Sequence, residues 1–559
     1  MLLPDKTYAK LDHPTFDKLR ELLIEAESMP EWEPEAPAIG RHQVTFWEEF
    51  EDLADESATA VAWRRSVGAL TDLQEIPVPA PPPGLEAILR PYQHDGFAWL
   101  TFLYEQGLGG ILADDMGLGK TIQTLALFLH ARGAGPSSAP PFLVVAPSSV
   151  LSVWESEAAR FAPGLDLRVL PTTTAKRGTP LATAIDGADV VVTSYALLRL
   201  DQEEYTALDW QGLVLDEAQF VKNRIAKAHR AAAEVRAPFR LAITGTPMEN
   251  SLTDLWSLLS LTAPGLFPSM PRFREEYVKP IEKHDGSQDS RARADQRMAR
   301  LRRRIRPFVL RRTKDVVATD LPEKQEQVVR VPLEPQHRRL YEQVLQRERQ
   351  KLLGLVEDLD RNRFIVFRSL TLLRMLALDP AIVDAEHAAV PSSKLEALMG
   401  KLEEVLAEGH RVIVFSQFTS FLTRVAERLE QQQVPFSYLD GSTDDRAGAI
   451  ASFREGELPV FLISLKAGGF GLTLTEADYV FLLDPWWNPA AEAQAVDRAH
   501  RIGQQRTVMV YRMVAENTIE EKVVALQERK AALFSSLTDG DSAFQSVLSA
   551  EDVRDLLRD

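Results

Sequence analysis

Chemistry could begin in ILADDMGLGKTIQT, residues 111 to 124. Gly117 and Gly119 can bring backbone N–H groups against phosphate oxygens, Lys120 can reach the β- and γ-phosphates, and Thr121 can put its hydroxyl on Mg²⁺. The usual phosphate-loop pattern wants a glycine where this chain has Asp114. Taken alone, the stretch is balanced between a nucleotide loop and a chance Gly-x-Gly-Lys-Thr. GGILAD before it can supply the strand, and TIQTLALFLH after it the helix, that such a loop requires.

A second group lies in LVLDEAQ, where an apolar strand ends in Asp216 and Glu217. One carboxylate could hold Mg²⁺ and the other orient and deprotonate an attacking water. A strand-end Asp-Glu is by itself more often a solvated turn. Found after a phosphate loop in the same expected sheet, the pair makes nucleoside triphosphate hydrolysis the leading reading. A third group is QAVDRAHRIGQQR, where Arg498 and Arg501 are three apart and expected on one helical face. Such guanidinium groups can neutralise charge on a transferred phosphoryl group, and the plain alternative is pairing with surface carboxylates. If they come from a second lobe, ATP is expected in a cleft that hydrolysis opens and closes.

Positioning these residues requires elements that the apolar pattern makes visible. FLVVA at 142, VVVTS at 190, LVLDE at 213 and RLAIT at 240 read as buried parallel strands, as do RVIVFS at 411, VFLIS at 460, YVFLLD at 479 and TVMVYRMV at 507. Helical segments lie between them, so two α/β units in tandem are expected. Residues 1–75 read as a helical region of unassigned role. A proline-rich linker, 76–85, follows. The first lobe is drawn at 86–325, with 262–325 a helical insertion and basic stretch, and 326–390 as a second helical insertion. The second lobe spans 391–525, and 526–559 is a C-terminal helical segment.

Composition restricts the alternatives. The chain has 559 residues, no cysteine and a formal charge of −17, which argues neither for disulfides nor for nucleic-acid binding through net charge. Its start lacks an export-signal pattern, and no apolar run suits a membrane span, so a cytoplasmic setting without a membrane partner is expected. Charge is unevenly distributed: ARLRRRIRPFVLRRTK, residues 299 to 314, holds seven arginines, one lysine and no acid. It could form a local positive face or an ordinary solvated helix face.

Taken in order, the motifs resemble those of superfamily-two helicase-type ATPases, and more narrowly the Swi/Snf family of DNA translocases, most like its bacterial branch. The resemblance covers about 86 to 525. It is carried by LRPYQHDGFAWL, ADDMGLGKT, VVAPSSVLSVWESE, VVTSYALL, LDEAQFVKN and LAITGTPMENSLTDLWSLL, then by VFSQFTSFL, YLDGST, SLKAGGFGLTLTEAD, DPWWNPAAEAQAVDRAHRIGQ and VYRMVAENTIEEKV. DPWWNP and DRAHRIGQ are particularly distinctive.

The resemblance implies two RecA-like lobes using ATP and Mg²⁺. Gln93 would read adenine, and Asp115, Met116, Gly117, Leu118, Gly119, Lys120, Thr121 and Gly471 would surround the nucleotide. Thr121 and Asp216 would hold the cation, while Lys120, Asp216, Glu217, Gln219, Arg498 and Arg501 would carry catalysis. Asp114 is ordinary in this family, whose loop usually begins Ala-Asp-Glu-Met, with Asp115 here replacing Glu. Gln219 stands where many relatives have His, and Thr473 where Asn is common. Ser148, Ser194, Tyr195, Gln417, Ser442, Thr443 and Lys466 match positions that track a DNA backbone. Trp487 is either a wedge in nucleic acid or a buried anchor, with packing slightly favoured. RPFVLRRTK would help couple the lobes.

The expected function is ATP-dependent translocation along double-stranded DNA that displaces or remodels a DNA-bound protein, RNA polymerase or a nucleoid protein among the candidates. The setting would be nucleoid-associated in a bacterium or nuclear in a eukaryote. A strand-separating DNA or RNA helicase, or a nucleotide-switched module that docks on such a partner, are the alternatives.

Overall fold

The computed structural model describes residues 32–33, 36–37, 76, 78–135, 139–224, 226–245, 252–282, 288–317, 321–352, 359–456, 458–465, 472–486 and 489–535. The helical reading of 1–75 falls outside them, apart from a short antiparallel ladder of Trp32–Glu33 with Ala36–Pro37. The chain divides into two compact units, one of residues 1–115 and 119–313, the other of 116–118 and 314–559.

The first unit carries α1 (Pro91–Glu105), β1 (Gly110–Leu112), α2 (Lys120–Ala134), β2 (Phe142–Ala146), α3 (Leu151–Phe161), β3 (Leu167–Leu170), β4 (Val190–Ser194), α4 (Tyr195–Leu200), β5 (Gly212–Asp216), β6 (Phe239–Ile243), α5 (Leu252–Thr262), α6 (Gln288–Ile305) and β7 (Val309–Leu310). Its sheet runs β3-β4-β2-β5-β6-β1-β7, and every described pairing is parallel. Residues of β2, β4 and β5 are buried throughout, because helices cover both faces of such a sheet. Register does the positioning. Asp216 pairs with Ile243, Leu112 pairs with the same Ile243, and Ala146 pairs with Ser194, so the phosphate loop, the Asp-Glu pair and the segments after β2 and β4 leave the same end of the sheet. That carboxyl end is where open parallel sheets bind ligands.

The second unit carries β8 (Lys324–Val331), α7 (Pro335–Leu352), α8 (Leu359–Leu378), α9 (Ser393–Ala407), β9 (Val412–Ser416), α10 (Thr419–Gln431), β10 (Phe436–Leu439), α11 (Arg446–Arg454), β11 (Val460–Ser464), β12 (Tyr479–Leu482), α12 (Pro489–Val496), β13 (Val508–Ala515) and α13 (Ile519–Ser535). The order is β8-β13-β12-β9-β11-β10, again parallel. Val412, Val414, Val460 and Leu462 pack on one face, while Ile413, Phe415, Phe461 and Ile463 pack on the other. Among the described residues no helix is long and apolar enough to cross a membrane.

The eight strands read from apolar runs are all present. The span 262–390, expected as helical insertions, is more than that. It also contains β7 and β8, and from Lys314 onward it belongs to the second unit. β8 has the sequence KQEQVVRV, largely exposed and paired on one side only, with β13. An edge strand wet on both faces has no apolar run to betray it. The arginine-rich stretch also divides. Arg302 and Arg303 are exposed, but Arg304 is fully buried, with Nη2 donating to the Leu266 carbonyl at 3.1 Å and its guanidinium 4.7 Å from the Phe267 ring.

Candidate functional site

β1 runs into the loop 113–119, and α2 starts at Lys120. Gly119 is the residue before α2 and has φ +77°, a left-handed backbone that favours glycine. A Cβ there would also meet the tip of Gln93, Nε2, at 2.4 Å, so the conformation demands glycine and a side chain would displace Gln93. Gln93 lies in the first turn of α1, where its Oε1 accepts from the Arg90 N–H at 3.0 Å. Lys120 curls back into the loop, donating from Nζ to the carbonyls of Asp114 at 2.6 Å and Asp115 at 3.2 Å. Burial pulls its pKa below the usual lysine value, opposed by Glu217, Asp114, Asp216 and Asp115. An ammonium so enclosed is suited to phosphate oxygens.

Asp114, the residue that broke the loop pattern, is fully buried. Its carboxylate accepts from Arg312, from the backbone N–H at 3.1 Å, from Nε at 2.9 Å and from Nη2. Arg312 Nη2 also reaches Gln123 Oε1 at 2.8 Å, and Nη1 donates to the Tyr92 carbonyl. The loop is therefore braced from the end of the basic stretch. Sequence reading missed Arg312 and Gln123 because their partners are distant in the chain.

At the end of β5, Asp216 accepts from the Glu217 N–H on Oδ1 at 2.9 Å and from the Trp154 indole N–H on Oδ2 at 2.8 Å. Burial pushes its pKa up, while the Trp154 bond and then the Lys120 charge pull it down. Glu217 has φ +50°, a left-handed conformation uncommon outside glycine, which aims its side chain out of the strand line. Gln219 Nε2 donates to Glu217 Oε2 at 2.9 Å, and Thr244 Oγ1 donates to Gln219 Oε1 at 3.0 Å. Thus Gln219, where His was the common alternative, links the carboxylate to the turn after β6. Thr244 had no assigned role and is found only through the β5–β6 register.

Other expected residues fall as follows. Ser148 is exposed at the head of a turn leading into α3. Ser194 caps α4 by accepting from the Leu197 N–H at 3.3 Å, and Tyr195 is buried with its hydroxyl donating to the Asp216 carbonyl at 2.7 Å. Both hydroxyls are thus engaged within the unit. In the second unit Ser442 Oγ donates to Asp440 Oδ1 at 2.7 Å, and Thr443 Oγ1 accepts from the Asp440 N–H at 2.9 Å. Gln417 Oε1 accepts from Arg374 Nη1 at 3.2 Å, and its N–H donates to Asp484. Lys466, Gly471 and Trp487 lie outside the described residues.

Arg498 and Arg501 do not share a helical face. α12 ends at Val496, and both arginines follow it in tight turns. Arg498 is 2% exposed, whereas Arg501 is half-buried with Nη1 donating to Thr473 Oγ1 at 2.9 Å. The replacement at 473 therefore still provides a polar partner. Lys314 holds these turns, donating to Asp497 Oδ1 and to the His500 carbonyl, each at 2.6 Å.

Two parallel α/β units, with a glycine loop and an Asp-Glu pair at the carboxyl end of the first sheet, define a helicase-type nucleotide hydrolase. The SNF2-related domain matches residues 92–380, more than half of the chain, and the helicase conserved C-terminal domain matches 393–503. The chain belongs to the SNF2-related family of helicase-like ATPases. It is 37% identical over 521 residues to the candidate ATP-dependent helicase/translocase YwqA of Bacillus subtilis (strain 168), covering 90% of this chain and 55% of that protein. It is 32% identical over 547 residues to the TATA-binding protein-associated factor mot1 of Schizosaccharomyces pombe, covering 86% and 28%. A solved Sulfolobus solfataricus SWI2/SNF2 ATPase core in complex with double-stranded DNA matches at 33% identity, covering 86% of this chain and 99% of that one, with a TM-score of 0.42. The chain spans about half the length of the bacterial relatives it matches.

Proposed function

We propose that the chain is the motor of an ATP-dependent translocase on double-stranded DNA that remodels or displaces DNA-bound proteins. The observation that carries this reading is the Glu217–Gln219–Thr244 relay at the strand ends, beside a loop lysine surrounded by carboxylates. A base for water must be held in one orientation, and here the turn after the neighbouring strand shares in holding it. Gln93 beside Gly119 would select adenine.

Asp216 and Thr121 would hold Mg²⁺: a carboxylate and a hydroxyl are hard oxygen donors of the kind this ion takes alongside phosphate. When bound, the cation neutralises charge on the phosphates. Lys120 would bind the β/γ-phosphates, Glu217 would accept the water proton, and Arg498 and Arg501 would offset charge on the transferred group. Ser148, Ser194, Tyr195, Gln417, Ser442, Thr443 and Lys466 are the proposed DNA side, tracking phosphates rather than bases, with Trp487 either a wedge in nucleic acid or a buried anchor. The names of the relatives, a helicase/translocase and a TATA-binding protein-associated factor, support a DNA substrate and a protein target. The proposed setting is the cytoplasm, with the DNA of the nucleoid in a bacterial cell.

The test compares ATPase rates with duplex DNA, single-stranded DNA and RNA, alongside strand-separation and triplex-displacement assays. Stimulation by duplex and triplex displacement without strand separation is expected. Hydrolysis indifferent to all nucleic acids would leave a nucleotide switch, and duplex opening would make the chain a helicase. Lys120→Ala and Glu217→Gln should each abolish turnover, a loss of at least about 10²-fold. Arg501→Ala should lower turnover by about 10³-fold or more while largely sparing ATP binding.

A further inference from the structure

Trp154, which has no assigned role, and Tyr195, expected on the DNA side, converge on Asp216. Trp154, on α3 and 1% exposed, donates to the carboxylate at 2.8 Å, while Tyr195, at the start of α4, donates to the carbonyl at 2.7 Å. Neither is isolated. The Trp154 ring lies 6.3 Å from that of Phe128 on α2, the helix that begins with Lys120, and the Tyr195 ring stacks at 5.7 Å on Phe220, just past Gln219. Each also sits within one short segment of a proposed DNA-side serine: the turn opened by exposed Ser148 leads directly into α3, and Ser194 caps α4. Because Ala146 pairs with Ser194 in register, the two segments leave neighbouring strand ends together.

We propose that Trp154 and Tyr195 are positioning residues for Asp216, setting its carboxylate for a divalent cation and passing the state of the Ser148 and Ser194 segments to it. Physically, a carboxylate offers about four lone-pair sites. The Glu217 N–H and the Trp154 N–H occupy one on each oxygen. Those that are left have a direction defined by the two bonds. The Tyr195 bond fixes the backbone from which the carboxylate hangs. A shift of α3 or α4 must therefore turn or release Asp216. The transmission half of this inference rests on the DNA-translocase reading, and the positioning half does not.

The test uses the full chain and Mn²⁺ as probe, its binding read by electron paramagnetic resonance in the presence of a non-hydrolysable ATP analogue. Trp154→Phe and Tyr195→Phe each keep an aromatic ring and delete the donor, Trp154→Phe also trimming the indole to a single ring. Trp154→Phe, which loses a bond to the charged carboxylate, is expected to weaken Mn²⁺ binding by roughly tenfold or more, and Tyr195→Phe, which loses a bond to the neutral carbonyl, by roughly two- to tenfold. The ratio of duplex-stimulated to basal ATPase should fall in the same variants. A merely structural role would lower the melting temperature without moving Mn²⁺ affinity in the folded protein. Wild-type Mn²⁺ affinity in both variants overturns the positioning role. Weakened Mn²⁺ affinity with full retention of duplex stimulation overturns the transmission. If the wild-type chain shows no duplex stimulation, the translocase reading and the transmission fail together, while the Mn²⁺ measurement still decides the positioning. Tyr195→Phe carries the same readout should Trp154→Phe fail to fold.

Discussion

Asp114 is the residue whose meaning changes most between chain and fold. A carboxylate with no exposed surface is stable only where ion pairing and hydrogen bonds offset its lost hydration, and Arg312 provides both. Replacing Arg312 with Ala leaves that charge uncompensated, and we expect a loss of about 3–5 kcal/mol in unfolding free energy together with weaker ATP binding. Chemical denaturation and a fluorescent-nucleotide titration check the two effects, and unchanged stability would remove the pair from any structural role. Gly96 belongs to the same cluster. A Cβ there would sit 1.8 Å from Gln123 Oε1 and 2.6 Å from Arg312 Nη2, so a side chain at this position would displace the tips of both from the Asp114 cluster. No spacing rule points to Arg312 from Asp114, since they are 198 residues apart.

Among the elements, the junction of α7, α8 and α9 carries a pH response. His337 is fully buried, with one ring nitrogen 2.7 Å from the Leu376 carbonyl and the other 3.1 Å from Ser393 Oγ. Nε2–H donates to the carbonyl, so Nδ1 acts as acceptor and the neutral ring is already satisfied. Burial lowers its pKa below the ordinary 6.5, and the same direction holds for His229 and His500. The unfolded chain then takes up protons that the native state refuses. This contribution to stability is complete above pH 6.5 and is lost as pH falls from there through the native pKa. Asp484 and Glu520, pushed up by burial, have the opposite sign. Comparing variants therefore isolates the histidine. His337→Gln should lower the melting temperature at pH 7.5, by the equivalent of about 1–3 kcal/mol, and flatten its fall between pH 7 and 5. A fall parallel to that of the wild type would assign the pH response elsewhere.

At the scale of the whole molecule, the question is how a chain of formal charge −17 would engage a polyanion. On the translocase reading local hydroxyls and cations would do it, because the net field repels DNA at long range. Contacts of that kind read no bases. Duplex stimulation of the ATPase should therefore be equal for AT-rich and GC-rich DNA, and the DNA concentration for half-stimulation should rise steeply with salt, as log K falls by about 0.9 per phosphate neutralised for each log unit of salt. Titrations of several duplexes between 50 and 200 mM salt, about 10³- to 10⁵-fold in affinity for six to ten contacts, check this. A marked sequence preference would assign base readout to the protein.

What the chain alone determined is what short stretches can encode: the buried central strands, the glycine loop and its helix, the Asp-Glu strand end and the family these define. Each is local, so residue type and spacing carry it. Only the tertiary structure decided which residues meet across long separations. Parallel register brought Asp216, Thr244 and the Lys120 loop to one sheet end, packing brought Trp154 and Tyr195 onto Asp216, and burial gave Asp114 to Arg312. Structure also ended α12 before Arg498 and made the polar KQEQVVRV a strand. The reason is the same in each case: hydrogen bonds and burial are set by neighbours in space, and a polar residue's neighbours are not written in its spacing along the chain.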